Sequence, residues 1–378
     1  MKIKILVLGG GTGGLVAANK IKKLLGNDVE VTLVDKNAYH EFMPAYPWVA
    51  LGMREPDQIR RPFSNLEKRG INFIQATVES IDPANNKVKT SVGDITYDYL
   101  IVSLGVEPMP LPVKENYAPW SLEGALNLRE AIKKFKGGKV VVGVSSLYYP
   151  CPPAPFEVAG QIEFALKVKG IRGKSMIEVF HFHPLPLAPM GPVIAGKIME
   201  ILKSKNITFH GSFEPIAFEN GKVKAKDGRE IEYDLLVLVP SFAPNKVVRE
   251  SPLAGPNGFP EVDKITFRSI RFPNVFVIGD VVNGSLMLPP AGVVAHFQGE
   301  YVAGVIVSDL KGAYIGEPFN PVAMCIMDFG DNAILPQCSF DKVLAGTGMP
   351  SCGVMAVGKW VRIAKILFEG FWFATLIE

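Results

Sequence analysis

Cys151, Cys325, Cys338 and Cys352 are the residues of this chain able to do sulfur redox chemistry, and four in 378 residues do not make a disulfide scaffold. Each is therefore judged by its surroundings. Cys151 opens the run Cys151-Pro152-Pro153-Ala154-Pro155-Phe156-Glu157, and a helix is expected to start near Phe156. A thiol near a helix N-terminus has its thiolate stabilised and is nucleophilic at neutral pH. Glu157 suits a proton acceptor beside such a thiol, or a first-turn acid favoured by the helix dipole. Cys338 and Cys352 are 14 residues apart and suit a structural disulfide or free thiols. His181, His183 and His296 are weaker acid–base candidates.

The second chemical feature is Gly9-Gly10-Gly11-Thr12-Gly13-Gly14, a G-x-G-x-x-G run with an apolar strand before it and a helix-like segment, Leu15 to Leu25, after it. Gly9 allows the tight turn, Gly11 lets the backbone approach a pyrophosphate seated on the helix N-terminus, and Gly14 lets helix and strand pack closely. A second strand ends at Asp35, 26 residues after Gly9, where a carboxylate reaches ribose hydroxyls.

A later apolar strand, Gly138 to Val144, is followed by a loop that does not repeat this pattern. Only Gly143 of three glycines is present, and Ser145 to Glu157 is rich in proline. Prolines lack N–H donors and stiffen the turn, which spoils a phosphate cradle. That argues against NADH as electron donor, a degenerate but working site being the alternative.

Asn274 to Asp280, a short apolar strand ending in Gly279-Asp280, resembles the second flavin fingerprint of the glutathione-reductase-like superfamily. Tyr97 to Gly105 resembles the strand that leaves the FAD domain there. The resemblance implies non-covalent FAD on Gly9, Gly11, Gly14, Asp35, Gly105, Gly279, Asp280 and Gly292, with Asp280 on the ribityl chain. The Cys151 motif, the Phe42 to Gly52 loop, Phe182 to Leu187, and Cys325 to Gly330 together resemble the sulfide:quinone oxidoreductases and the flavoprotein subunit of flavocytochrome c sulfide dehydrogenase. This implies oxidation of sulfide to polysulfide or sulfur, with electrons passing through FAD to a membrane quinone. Cys151 and Cys325 would be the redox pair, joined by a disulfide or short sulfur bridge, with Glu157 as proton acceptor; Cys338 or Cys352 remains an alternative partner. Two departures stand out. Pro289-Pro290-Ala291-Gly292 lacks the family's lysine, and no cysteine precedes Cys151.

The tail, Lys359 to Glu378, reads as a helix with Lys359, Arg362, Lys365 and Glu369 on a narrow polar stripe. Trp360, Phe368, Phe371 and Phe373 fall on the broad apolar remainder and are expected at the membrane and quinone. A helix docked on the protein's own core, or a dimer contact, is the alternative.

These features need a scaffold that holds two distant halves of one site together. An α/β fold is expected: two Rossmann-like dinucleotide-binding domains plus a C-terminal membrane-contact region. The first covers residues 1–110 and returns at 246–312; the second is 111–245; the C-terminal region is 313–378. The chain is 48% hydrophobic and 20% charged with a net charge of +3, which speaks against disorder and against nucleic acid as a partner. No stretch of 18 apolar residues occurs, so no helix is expected to span a bilayer. No signal peptide or metal site is read, and a peripheral, monotopic protein on the cytoplasmic side is expected. Sulfide, membrane quinone and the membrane surface are the expected partners; the oligomeric state is open, a homo-oligomer included. The competing functions are a type II NADH:quinone dehydrogenase, a sulfide dehydrogenase subunit donating to a cytochrome, and a flavin-binding redox sensor.

Overall fold

The computed structural model describes residues 2–312 and 319–378. The expected start of the C-terminal region at residue 313 lies outside them. Strands β1 (Ile3–Leu8), β2 (Val29–Asp35), β3 (Asn72–Gln75), β4 (Tyr99–Val102) and β9 (Val275–Val277) form one parallel sheet in the order β9-β4-β1-β2-β3. Each core strand is a near-continuous apolar run, as a parallel sheet buried on both faces requires. Helix α1 (Thr12–Leu25) crosses from β1 to β2, and helix α4 (Gly292–Lys311) packs along it.

Between β4 and β9 the chain builds a second parallel sheet from β5 (Gly138–Val144), β6 (Ser175–Phe180), β7 (Ile207–His210) and β8 (Leu235–Val239), ordered β7-β6-β5-β8. Helices α2 (Ala154–Val168) and α3 (Pro192–Ser204) are its crossovers. Helix α2 starts two residues earlier than expected, at Ala154 rather than Phe156, because Pro155 fits the first turn, where its missing N–H is not needed.

The C-terminal region is an antiparallel sheet in which β12 (Ala333–Ser339) pairs with β10 (Val322–Met324), β11 (Met327–Asp328) and β13 (Ser351–Val357). Strand β13 leads into helix α5 (Lys359–Leu376). No described helix is long and apolar enough to cross a membrane.

Candidate functional site

The glycine loop is built as its spacing predicts. Gly9 has φ +96°, and a Cβ there would stand 2.3 Å from the Ser103 carbonyl oxygen on the neighbouring strand. A Cβ on Gly14 would stand 2.0 Å from the Gly9 oxygen, so helix α1 could not pack. Gly11 faces open space. Asp35 accepts from the Gly10 and Asn37 amides at 2.7 and 2.8 Å, which fixes its carboxylate at the lip of the loop. Gly105 and Gly279 both take positive φ, 66° and 83°. Gln298 accepts from the Gly279 amide at 2.7 Å and donates to Asn283 at 2.8 Å, both inside the core. Gly292 begins α4, its α-carbon facing the Thr12 hydroxyl at the start of α1.

Asp280 tests whether a cofactor fits. Its Oδ1 is buried with no hydrogen-bond partner, and burial raises its carboxyl to about 7. An orphaned buried acceptor is costly. A ligand hydroxyl donating to it would satisfy it, and the open space at Gly11 leaves room for a pyrophosphate. The residues fit a dinucleotide.

The second loop is built differently from the first. Gly143 leaves space that the Phe180 ring fills, since a Cβ there would lie 2.0 Å from that ring. Ser146 and Tyr148 bond each other, and the Tyr148 hydroxyl donates to the Asp280 carbonyl at 2.9 Å. The loop is thus stapled onto the FAD half.

Cys151 lies between the two halves. Its amide donates to the Pro290 carbonyl at 2.7 Å, two residues before Gly292. Its φ is +59°, a left-handed conformation that costs a non-glycine residue about 1–3 kcal/mol. Cys325 comes from the turn between β10 and β11, where its amide donates to the Pro336 carbonyl of β12. The two thiols are hydrogen-bonded to each other, and both are free. They are not joined by the expected sulfur bridge. Cys338 and Cys352 form a cross-strand disulfide between β12 and β13.

The electrostatics at Cys151 overturn the expectation of a thiolate held by the helix N-terminus. The hydrogen bond with Cys325 raises its thiol well above the ordinary range, helped by burial and by the charges of Cys325 and Glu157; Lys365 opposes them. Glu157 is 3% exposed and is raised by burial to about 7, with Lys365 pulling the other way. Gln161 also donates to Glu157, at 3.0 Å.

Lys365 is the largest departure from the sequence reading. Apart from the exposed Lys359, the polar stripe of α5 faces the protein, not water. Lys365, 6% exposed, donates to Glu157. Arg362 pairs with Asp328 at 3.2 Å, and Glu369 with Arg54 at 2.9 Å. Asp328 also accepts from the Trp48 indole at 2.9 Å and the Gly330 amide at 2.8 Å. Burial lowers the Lys365 ammonium pKa, but Glu157, Cys325 and Asp328 outweigh it, so Lys365 stays charged. The expected apolar face divides accordingly. Trp360, Ile363, Leu367, Phe368 and Phe371 are exposed, whereas Phe373 is 1% exposed beneath Arg61 and against Phe42. Phe373 therefore has no access to a membrane surface. Trp372, also buried, donates to His40. Lys365 and Arg362 were read only as part of a solvent-facing stripe, and Asp328, Trp48 and His40 were given no role from sequence, since nothing local to any of them signals its distant partner.

The model of the pyridine nucleotide-disulphide oxidoreductase family matches residues 3–299. A mitochondrial sulfide:quinone oxidoreductase of Dictyostelium discoideum is 27% identical over 84% of this chain and 72% of its own. The crystal structure of the sulfide:quinone oxidoreductase of Aquifex aeolicus superposes with a TM-score of 0.86 at 26% identity, covering 99% of this chain and 91% of that one. A type II NADH:quinone oxidoreductase of Staphylococcus saprophyticus is 27% identical over 84% of each chain. The chain belongs to the pyridine nucleotide-disulphide oxidoreductases.

Proposed function

We propose that this protein oxidises sulfide to polysulfide and delivers the electrons to a membrane quinone. The observation that carries the reading is the contact of Cys151 with Cys325, two thiols 174 residues apart brought together against the FAD half of the molecule. In their oxidised form, HS⁻ attacks one sulfur of the pair. The Cys–Cys bond breaks, a persulfide forms on the attacked cysteine, and the other sulfur leaves as thiolate. A second HS⁻ takes the outer sulfur as HSS⁻ and leaves two reduced cysteines. The balance is 2 HS⁻ to HSS⁻, one proton and two electrons. FAD held at the Gly9 to Gly14 loop and Asp280 would supply the two-electron acceptor needed to re-form the disulfide and the link to quinone. Glu157, with its carboxyl near neutrality, takes and releases the proton beside Cys151.

The loop after Gly143 supports sulfide over NADH, because it lacks the other glycines of a phosphate cradle, is rich in proline and is tied by Tyr148 to the Asp280 carbonyl. The exposed row Trp360, Ile363, Leu367, Phe368 and Phe371 supports a peripheral membrane contact through the outer face of α5. Anaerobic addition of sulfide should bleach the flavin, while NADH at the same concentration leaves it oxidised. Fast reduction by NADH would overturn the reading.

A further inference from the structure

Helix α5 reaches the dinucleotide loop through a chain of two hydrogen bonds. The Trp372 indole N–H donates to Nε2 of His40 at 2.8 Å. Nε2 is thereby the acceptor, so the ring proton sits on Nδ1, which bonds the Gly10 carbonyl oxygen at 2.9 Å. The other side of the same residue is held as well, since the Gly10 amide donates to Asp35 at 2.7 Å. Phe63 closes the remaining direction, because a Cβ on Gly10 would lie 2.2 Å from its ring. The Trp372 and His40 rings stack with centroids 5.9 Å apart and 28° between planes.

The last turn of α5 is tied to the same place. Asn19 of α1 donates to the Leu376 carbonyl at 2.9 Å, and Arg69 donates to the Thr375 and Ala374 carbonyls at 2.8 and 3.0 Å. These bonds satisfy the orphan carbonyls of one helix with side chains beside the helix whose N-terminus begins the dinucleotide loop.

We propose that Trp372 and His40 are positioning residues for FAD: the C-terminal helix, acting through the imidazole, fixes the Gly10 peptide and so the amides that receive the pyrophosphate. Neither residue touches the cofactor in this scheme. His40 is 4% exposed and burial lowers its pKa to about 4, so it stays neutral and keeps both roles at neutral pH. The inference rests on the assignment of Gly9 to Gly14 to FAD.

The test is FAD titration of the full-length apoprotein, read by quenching of flavin fluorescence. Trp372→Phe keeps the ring and removes the N–H, freeing His40 to change tautomer. It should weaken FAD binding about 5- to 10-fold, the worth of one buried hydrogen bond. His40→Asn puts an amide N–H near the place of Nδ1 and no longer needs Trp372. Its affinity should stay near wild type, and adding Trp372→Phe to it should change nothing. An unchanged affinity in Trp372→Phe, or the same loss in the His40→Asn background, overturns the proposal, because Trp372 would then act by packing alone. Nitrogen NMR of the imidazole in the wild-type holoprotein gives an arm free of folding effects: a proton on Nδ1 supports the chain, and a proton on Nε2 overturns it. Wild-type apoprotein that takes up no FAD would fail the cofactor assignment itself, and the inference with it.

Discussion

Lys365 donates to Glu157 across 208 residues of chain, and both side chains are buried. The pair joins the C-terminal helix to the first turn of the helix that follows Cys151. Their protonation is shared unequally: the ammonium is held charged, while the carboxyl is raised to about 7.

The first prediction concerns stability against pH in Lys365→Met. Glu157 binds its proton more tightly in the folded protein than in the unfolded one. That advantage is complete below the unfolded value of about 4.5 and is lost as pH rises through the folded value of about 7. Removing Lys365 removes the charge that holds the carboxyl down, so the loss extends to higher pH. A buried carboxylate without its partner costs about 3–5 kcal/mol, whereas the protonated acid costs less. The drop in Tm relative to wild type should be larger at pH 8.5 than at pH 6. Equal drops at both would sink the argument.

The second separates the two kinds of cysteine. Cys151→Ser and Cys325→Ser should each abolish sulfide:quinone turnover and keep the flavin spectrum. Cys338→Ser should retain most of the turnover and lose about 3 kcal/mol of stability, the worth of closing a loop of this length. A turnover loss in Cys338→Ser matching that in Cys325→Ser would move the redox role to the disulfide pair.

Much of this was readable because the signals are local. The Gly9 to Gly14 loop announces itself by spacing, since Gly9 and Gly14 answer steric demands of the turn and Gly11 leaves open space for a ligand. Asp35 and Asp280 stand at the ends of apolar strands. The orientation of α5 was not readable in the same way. A stripe of Lys359, Arg362, Lys365 and Glu369 reads as the wet side of a helix, and only burial of Glu157, Asp328 and Arg54 elsewhere turns it inward. Those partners come from three separate stretches of chain. The left-handed Cys151 was hidden for a related reason: its amide is held by the Pro290 carbonyl, 139 residues away.

The third prediction concerns the exposed face of α5. Deleting residues 359–378 would strip Glu157, Asp328, Arg54 and His40 of partners, so the truncated chain should fail to hold FAD rather than yield a soluble flavoprotein. Leu367→Ser with Phe371→Ser alters only the exposed face; both residues are about two-thirds exposed, at 68% and 65%. This variant should keep its Tm and flavin and lose co-sedimentation with liposomes. Undiminished liposome binding would place the membrane contact elsewhere.

The last prediction concerns what holds Cys151 in its strained conformation. Tyr149 is buried beside it, and its hydroxyl donates to the Pro152 carbonyl at 3.2 Å. His181 Nε2 bonds the same hydroxyl at 3.1 Å. The His183 amide donates to His181 Nδ1 at 3.0 Å, so the ring proton is on Nε2 and points at Tyr149. Burial, then the neighbouring His183, lowers His181 to about 4, so it is neutral when the enzyme works. The hydroxyl thus stands between one donor and one acceptor, and pins the Pro152–Pro153 peptide, one residue beyond Cys151. Tyr149→Phe keeps the ring but breaks both bonds, and leaves the buried His181 N–H without a partner, at a cost of about 1–3 kcal/mol. The turn is then free to relax toward negative φ, which moves the Cys151 sulfur relative to Cys325. Flavin reduction by sulfide should slow about tenfold, the effect of 1.4 kcal/mol on a barrier, while FAD affinity stays as in wild type. Stopped-flow bleaching separates the two readouts. A Tyr149→Phe variant that bleaches at the wild-type rate would show that Pro290 alone holds Cys151 in place.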